Sequence, residues 1–99
     1  MENGSIVILN LQDPREKFIG KLLAISPSGI TIKGVEVDSF SDWMSQFNRK
    51  QMTTIISPTT MFFPMHRVVN CYLDENIGDA PSFSSQFKVR TKKELKKIL

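Results

Sequence analysis

Two side chains in this sequence could act together as nucleophile and base: the single histidine, His66, and the single cysteine, Cys71. Cysteine attack needs a thiolate within hydrogen-bond reach of the base that generates it. The separation between the two is odd, so on one continuous strand they project to opposite faces. His66 lies just after Pro64, where a strand need not have begun, and a small enzyme using His66 therefore stays open as a reading. The plainer reading makes Cys71 a small buried hydrophobe beside Val69 and Leu73. Carboxylates offer a second arrangement, since Glu36 and Asp38 close one strand-like run and Asp74 and Glu75 another. The two pairs could meet at one rim for acid–base work, although carboxylates at strand ends are ordinarily solvated. One histidine without a cysteine cluster gives no metal-ligand set. Gly20, Gly29 and Gly34 lack the spacing and the strand-to-helix context of a phosphate loop. The expectation is no catalytic residue, no cofactor and no metal.

Binding is better represented than catalysis. Phe62-Phe63-Pro64-Met65-His66-Arg67 sets an aromatic pair before a histidine and an arginine. That order could stack bases and contact the phosphates of a single-stranded nucleic acid. Alternatively Phe62 and Phe63 alternate on a strand, one in the core and the other under a helix or in a subunit interface. Charge points to the tail: residues 86–99 hold six basic side chains against Glu94 alone, a balance of +5 within a net +3. Residues 1–85 carry seven basic and nine acidic side chains, a balance of −2, so the body is mildly acidic. Lys92, Lys93, Lys96 and Lys97 could meet RNA or an acidic lipid surface. They could equally be the wet face of a helix that packs through Leu95, Ile98 and Leu99. The candidate binding surface is therefore Phe62, His66, Arg67, Lys92, Lys93, Lys96 and Lys97.

The elements that must position these residues follow from hydrophobic pattern and turn chemistry. Residues 5–11 are a short β-branched run, a strand buried on both faces. Asp13 and Pro14 make a turn. Residues 17–26 form a second strand with Phe18, Leu22 and Ala24 on one face and Ile19, Leu23 and Ile25 on the other. Gly20 interrupts that strand, a sign of a bulge or of two backbones approaching closely. Ser26-Pro27-Ser28-Gly29 reads as a tight turn, and residues 30–37 return antiparallel with Gly34 as a second bend. Ser39 is the expected N-cap of a helix whose Phe40, Trp43, Met44 and Phe47 make one apolar stripe, more suited to core or interface than to a ligand box. Strand-like residues follow at 53–63, broken by Pro58, and at 67–73 beyond Pro64. Asn76, Gly78, Asp79 and Pro81 mark a loop. Helical spacing resumes from Ser82 through Phe83, Phe87, Leu95 and Ile98, and Thr91-Lys92-Lys93-Glu94 reads as a capping box where two short helices meet.

Five strands, a helix after the third and a C-terminal helix or helix pair predict an α+β fold: a small, strongly bent antiparallel barrel. Ninety-nine residues allow one domain, 1–99, with a barrel body at about 5–75 and a basic helical tail at about 82–99. No apolar run reaches the roughly 18–20 residues of a membrane span, and the first residues lack a basic, cleavable leader. With one cysteine, a reducing cytoplasm is the expected compartment.

In strand order, in Gly20 within the second strand and in the hairpin through Gly29, the chain resembles Sm-like proteins. Phe63-Pro64-Met65-His66 is similar to the short turn between the fourth and fifth strands of that family. In the bacterial Sm-like RNA chaperone a Lys-His step at this turn faces RNA, and Met65-His66 stands in its place without the lysine. The Asp-x-x-x-Asn and Arg-Gly patterns of the family are absent near Val37-Asp38 and beyond, and an Sm helix precedes the sheet where here the helices follow the third and fifth strands. The resemblance covers residues 5–74 and implies an SH3-like or Sm-like barrel and single-stranded RNA as partner. The Phe62–Val68 stretch with Leu73-Asp74-Glu75 also looks like one found in short bacterial proteins, a likeness that implies no activity.

The residues themselves favour a non-catalytic binding and oligomerisation module. Nine aromatic residues in total, five methionines and an amphipathic tail are much apolar material for so small a domain, and some of it suits a contact between copies. A homo-oligomer or another protein is the expected partner, with single-stranded RNA as the alternative.

Overall fold

The computed structural model describes residues 1–48 and 56–99. Its strands are β1 (Ile6–Leu11), β2 (Glu16–Ser26), β3 (Gly29–Glu36), β4 (Thr59–Pro64) and β5 (Val68–Leu73). Its helices are α1 (Phe40–Ser45), α2 (Phe83–Thr91) and α3 (Leu95–Ile98). The strands form one antiparallel sheet in the order β4-β3-β2-β1-β5, an α+β architecture as expected. Residues 53–55 of the expected fourth strand lie outside the described residues, and the strand itself begins at Thr59, after Pro58.

The sheet is bent but does not close. Gly20 pairs with Gly34, and each would clash with the other strand if it carried a side chain. A Cβ on Gly20 would stand 2.8 Å from the Lys33 carbonyl oxygen, and one on Gly34 would stand 2.6 Å from the Gly20 Cα. Two backbones can approach that closely only where neither has a side chain. The expected barrel is corrected by the strand order: β4 and β5 are the two edges, and no ladder joins them among the described residues. The three-residue turn Met65–Arg67 joins them, and Met61, Met65, Val68 and Cys71 are partly buried against the core of one face.

Each face of the sheet carries its own core. On the concave face Val7, Leu9, Leu11, Phe18, Leu22, Ile30, Ile32 and Phe63 are buried together, with the Phe18 and Phe63 rings 5.0 Å apart. On the opposite face Ile8, Ile19 and Val35 meet Phe40, Trp43, Met44, Phe87 and Leu95 from the helices and Leu99 just beyond α3. β1 thus buries both faces, which is why its sequence shows no polar alternation. The Trp43 ring lies 5.0 Å from Phe87 and 5.7 Å from Phe47, joining α1 to α2 through tilted and edge-on aromatic contacts.

Local details depart from the sequence reading in four places. A bulge between Leu22 and Ala24 shifts the register of β2, so Ala24 moves to the face of Ile19 and Leu23 is left exposed. Ser39 makes no side-chain cap to α1, because a 3-10 turn at Val37–Ser39 already leads the chain into the helix. Thr91 is the last residue of α2, not the cap of α3: its hydroxyl donates to the Phe87 carbonyl and accepts from the Lys93 N–H. Lys92, at φ 65°, makes the break between the two helices, and Glu94 is the N-cap residue of α3.

Candidate binding surface

Arg67 is half-buried and held by polar contacts. Its Nη2 donates to Glu16 Oε1 at 2.6 Å and to the Pro14 carbonyl at 2.9 Å, and its Nε donates to the Gln12 carbonyl at 3.1 Å. Its guanidinium also lies 5.7 Å from the centre of the Phe63 ring. These contacts tie the β1–β2 turn, which contains a cis Asp13–Pro14 bond, to the β4–β5 turn. His66 sits exposed in that second turn, and its carbonyl accepts from Gln12 Nε2.

Phe62 points the other way. It is 56 % exposed and stands on the face that carries the helices, whereas Phe63 is buried on the concave face. The structure therefore separates Phe62 from Arg67, which the sequence had grouped. Lys92, Lys93, Lys96 and Lys97 are exposed around the α2–α3 junction, with Lys97 Nζ 3.2 Å from Glu94 Oε2. The tail folds on its own chain through Phe87, Leu95 and Leu99, each at most 7 % exposed.

Cys71 and His66 do not form a dyad. Among the described residues the Cys71 Sγ contacts the Met1 Sδ at 3.8 Å, and no hydrogen bond joins it to His66. Burial raises the thiol above its usual value. The carboxylates do not converge either. Glu36 and Asp38 line a groove of about 600 Å³ with Arg15, Glu16 and Lys17, while Asp74 and Glu75 border a separate hollow near Tyr72 and Phe83. Among the described residues no group of three His, Cys, Asp or Glu side chains could hold a metal, and no helix is long and apolar enough to cross a membrane.

The register shows neighbours of Phe62 that sequence reasoning missed. Val35, Lys33 and Thr31 alternate onto one face of β3, and Ile19 and Lys21 onto the same face of β2. Lys21 stands opposite Lys33, Lys33 opposite Thr60, and Thr31 opposite both Phe62 and Ala24. The helices cover Ile19 and Val35, and Ile6 packs against the same cluster. Beyond them lies a patch of two lysines, two threonines and one aromatic ring with no carboxylate at any paired position. The signal in the sequence was the parity of Thr31 and Lys33 with Val35, legible only once the buried face of β3 is known.

β4 and β5 end the sheet, and among the described residues no further strand pairs with either. β4 reads Thr-Thr-Met-Phe-Phe-Pro and β5 reads Val-Val-Asn-Cys-Tyr-Leu, six residues each with no charged side chain. Val69 is 57 % exposed, and Tyr72 and Leu73 are each 38 % exposed. No family model, curated protein or solved structure matches the chain.

Proposed function

We propose that this chain is a non-catalytic module that assembles with copies of itself through its sheet edges. The observation that carries the reading is the pair of uncharged, equally long edge strands at opposite ends of one sheet. Natural sheets blunt an exposed edge with lysines, inward charges or covering elements, because unpaired N–H and C=O groups recruit another strand. Pro64 and the bulge at Val69 are the only such devices on β4 and β5 among the described residues. Since every copy offers one edge of each kind, β4 of one can pair with β5 of the next. Repetition of that contact gives a closed ring where the rotation closes and a filament where it does not.

Kinship with Sm-like or SH3-like small barrels belongs to the same reading. It is supported by the strand order, by the bend at Gly20 and Gly34, and by the three-residue turn from β4 to β5.

The test is light scattering coupled to size exclusion, on the wild type and on a Val69→Lys/Tyr72→Lys variant. The expected result is a defined oligomer that the double substitution reduces to a monomer. Val89→Lys, a substitution on the exposed side of α2, leaves the mass unchanged. A monomeric wild type at tens of micromolar overturns the reading.

A further inference from the structure

We infer that Asn3 is a self-modifying site: the backbone nitrogen of Gly4 attacks its side-chain amide, giving a succinimide that water opens to aspartate or isoaspartate. The inference concerns the segment ahead of β1 and does not depend on self-assembly.

The residue pair makes the reaction available. Of the five asparagines Asn3 alone is followed by glycine, and the other four precede residues that carry a side chain. Ring closure brings the next residue's nitrogen onto the asparagine Cγ. A side chain on that next residue crowds the approach, and glycine has none. Asn3 is exposed, and a Cβ built on Gly4 would meet nothing within 4 Å, so neighbouring chain leaves room for the ring. Among the described residues no hydrogen bond holds the Asn3 amide.

Water is the sole co-reactant. The Gly4 amide gives its proton to solvent, its nitrogen bonds to the Asn3 Cγ, and the Cγ–Nδ2 bond breaks as ammonia leaves. Water then adds to one of the two ring carbonyls. Opening at Cγ restores the main chain with aspartate at position 3. Opening at the Asn3 main-chain carbonyl carbon leaves the chain running through Cγ as isoaspartate, one atom longer.

The fold gates this step. The nitrogen that must attack is already engaged: the Gly4 N–H donates to the Leu22 carbonyl at 2.6 Å, and the Leu22 N–H donates to the Ser5 carbonyl at 2.8 Å. Asn3 and Gly4 are the central residues of a turn closed by the Ser5 N–H on the Glu2 carbonyl at 3.0 Å, with Gly4 at φ 93°. Attack therefore waits until the segment opens from β2. Isoaspartate then keeps it open, because the added atom lengthens the turn and the Ser5–Glu2 and Gly4–Leu22 bonds no longer match. Either product also places a negative charge where the amide was neutral. Ahead of the turn the Met1 Sδ lies 3.8 Å from the Cys71 Sγ on β5, so release of the segment uncovers that thiol as well.

The experiment is incubation of the whole chain in mildly alkaline buffer, folded and in guanidinium chloride, followed by peptide mass spectrometry. Digestion with the protease Asp-N, which cuts before aspartate and not before isoaspartate, sorts the two products. The expected result is a gain of about 1 Da at Asn3 in both samples, about tenfold slower in the folded one because backbone hydrogen bonds must open first. Asn3→Gln, which must close a larger ring, should stay unmodified over the same period. In the aged protein amide exchange at Gly4 and Leu22 should quicken about tenfold. Ellman's reagent should also reach Cys71 sooner. Asn3→Asp has the charge without the extra atom and should keep the slow exchange. An unchanged Asn3 in the folded protein, over many times the half-life measured in denaturant, overturns the proposal. Equal rates in the two samples overturn the gate, and aged protein with unaltered exchange at Gly4 and Leu22 overturns the release of the segment.

Discussion

The carboxylate of Asp74, just past the end of β5, caps the helix that begins nine residues later at Phe83. Its Oδ1 accepts from the Phe83 N–H at 2.8 Å, and its Oδ2 accepts from the Ser84 N–H at 2.8 Å and the Ser84 hydroxyl at 2.7 Å. Asn76 adds to this, its Oδ1 accepting from the Ser82 N–H at 2.7 Å. The first N–H groups of a helix have no partner within it, and a negative charge there also meets the positive end of the helix dipole. One side chain at a strand end thereby fixes where α2, and with it the buried Phe87, sits on the sheet.

Asp74→Ala removes three hydrogen bonds and leaves two helix N–H groups without their acceptor. The expected loss is about 1–3 kcal/mol of unfolding free energy, read as a lower midpoint in urea with an unchanged slope. Asp74→Asn keeps an acceptor oxygen and loses the charge, so its cost is the smaller of the two. Equal stability of wild type and Asp74→Ala would show that Ser82, whose hydroxyl accepts from the Ser85 N–H, is a sufficient cap.

That capping contact marks the boundary of what the sequence discloses. Elements governed by local pattern were legible: the strands around Gly20 and Gly34, the turn before Gly29, the stripe from Phe40 to Phe47 and the paired tail helices. Period and turn chemistry act over a few residues, and those residues carry them. Asp74 reads as a solvated loop carboxylate until α2 is known to start beside it. Leu23 reads as one alternation step until the pairing with β3 shows the bulge. Lys21 and Lys33 are far apart in sequence, and only the register makes them neighbours. Closure of the sheet is likewise a long-range matter, decided by whether β4 and β5 pair, which no local pattern carries.

Gly34 is expected to tolerate no side chain. An added Cβ meets the Ile19 carbonyl oxygen and the Gly20 Cα, both backbone atoms that cannot swing aside as a side-chain tip can. Gly34→Ala must therefore push β2 and β3 apart at the bend, at a cost of about 2–4 kcal/mol or a loss of folding. Gly78→Ala is a useful contrast: nothing lies within 4 Å of the position, and its φ of 57° confines the penalty to local backbone strain. About 1 kcal/mol covers that strain. Thermal melts of the two variants separate a packing requirement from a conformational one, and equal melting temperatures would contradict the close approach.

Cys71 is expected to be a slow thiol. Desolvation by burial raises its pKa above the usual 9.0, so at any neutral pH it carries less thiolate than an exposed cysteine. The rate of reaction with Ellman's reagent, followed against pH, should rise with a midpoint above 9.0. Unfolding in urea should bring the midpoint back to that value. The sign for stability follows: the folded state prefers the neutral thiol, so this group costs nothing below pH 9.0 and destabilises the fold as pH rises beyond it. A midpoint below 9.0 would instead reveal a thiolate stabilised by a cation and would return Cys71 to the list of nucleophiles.

Glu94 gives the tail a dependence in the acid range. Its carboxylate accepts a hydrogen bond from Lys97, with Nζ to Oε2 at 3.2 Å, and is further held ionised by the charges of Lys97 and Lys88, the latter at 3.8 Å. These contacts lower its pKa below the usual 4.5. A depressed carboxylate contributes its stability above the unfolded value and loses it as pH falls through the folded one, so the contact is fully formed at pH 5 and above. The carboxyl carbon of Glu94, followed by NMR, should titrate with a midpoint below 4.5, and Lys97→Gln should move that midpoint upward. Added salt should do the same, because the group is open to solvent and its Coulomb attraction to both lysines is screened. Since α3 begins at Leu95 immediately after this residue, protonation should also quicken amide exchange at Lys97 and Ile98, whose N–H groups donate to the Glu94 carbonyl. A midpoint at or above 4.5 that Lys97→Gln does not move would show that the two lysines leave the carboxylate unpaired in solution.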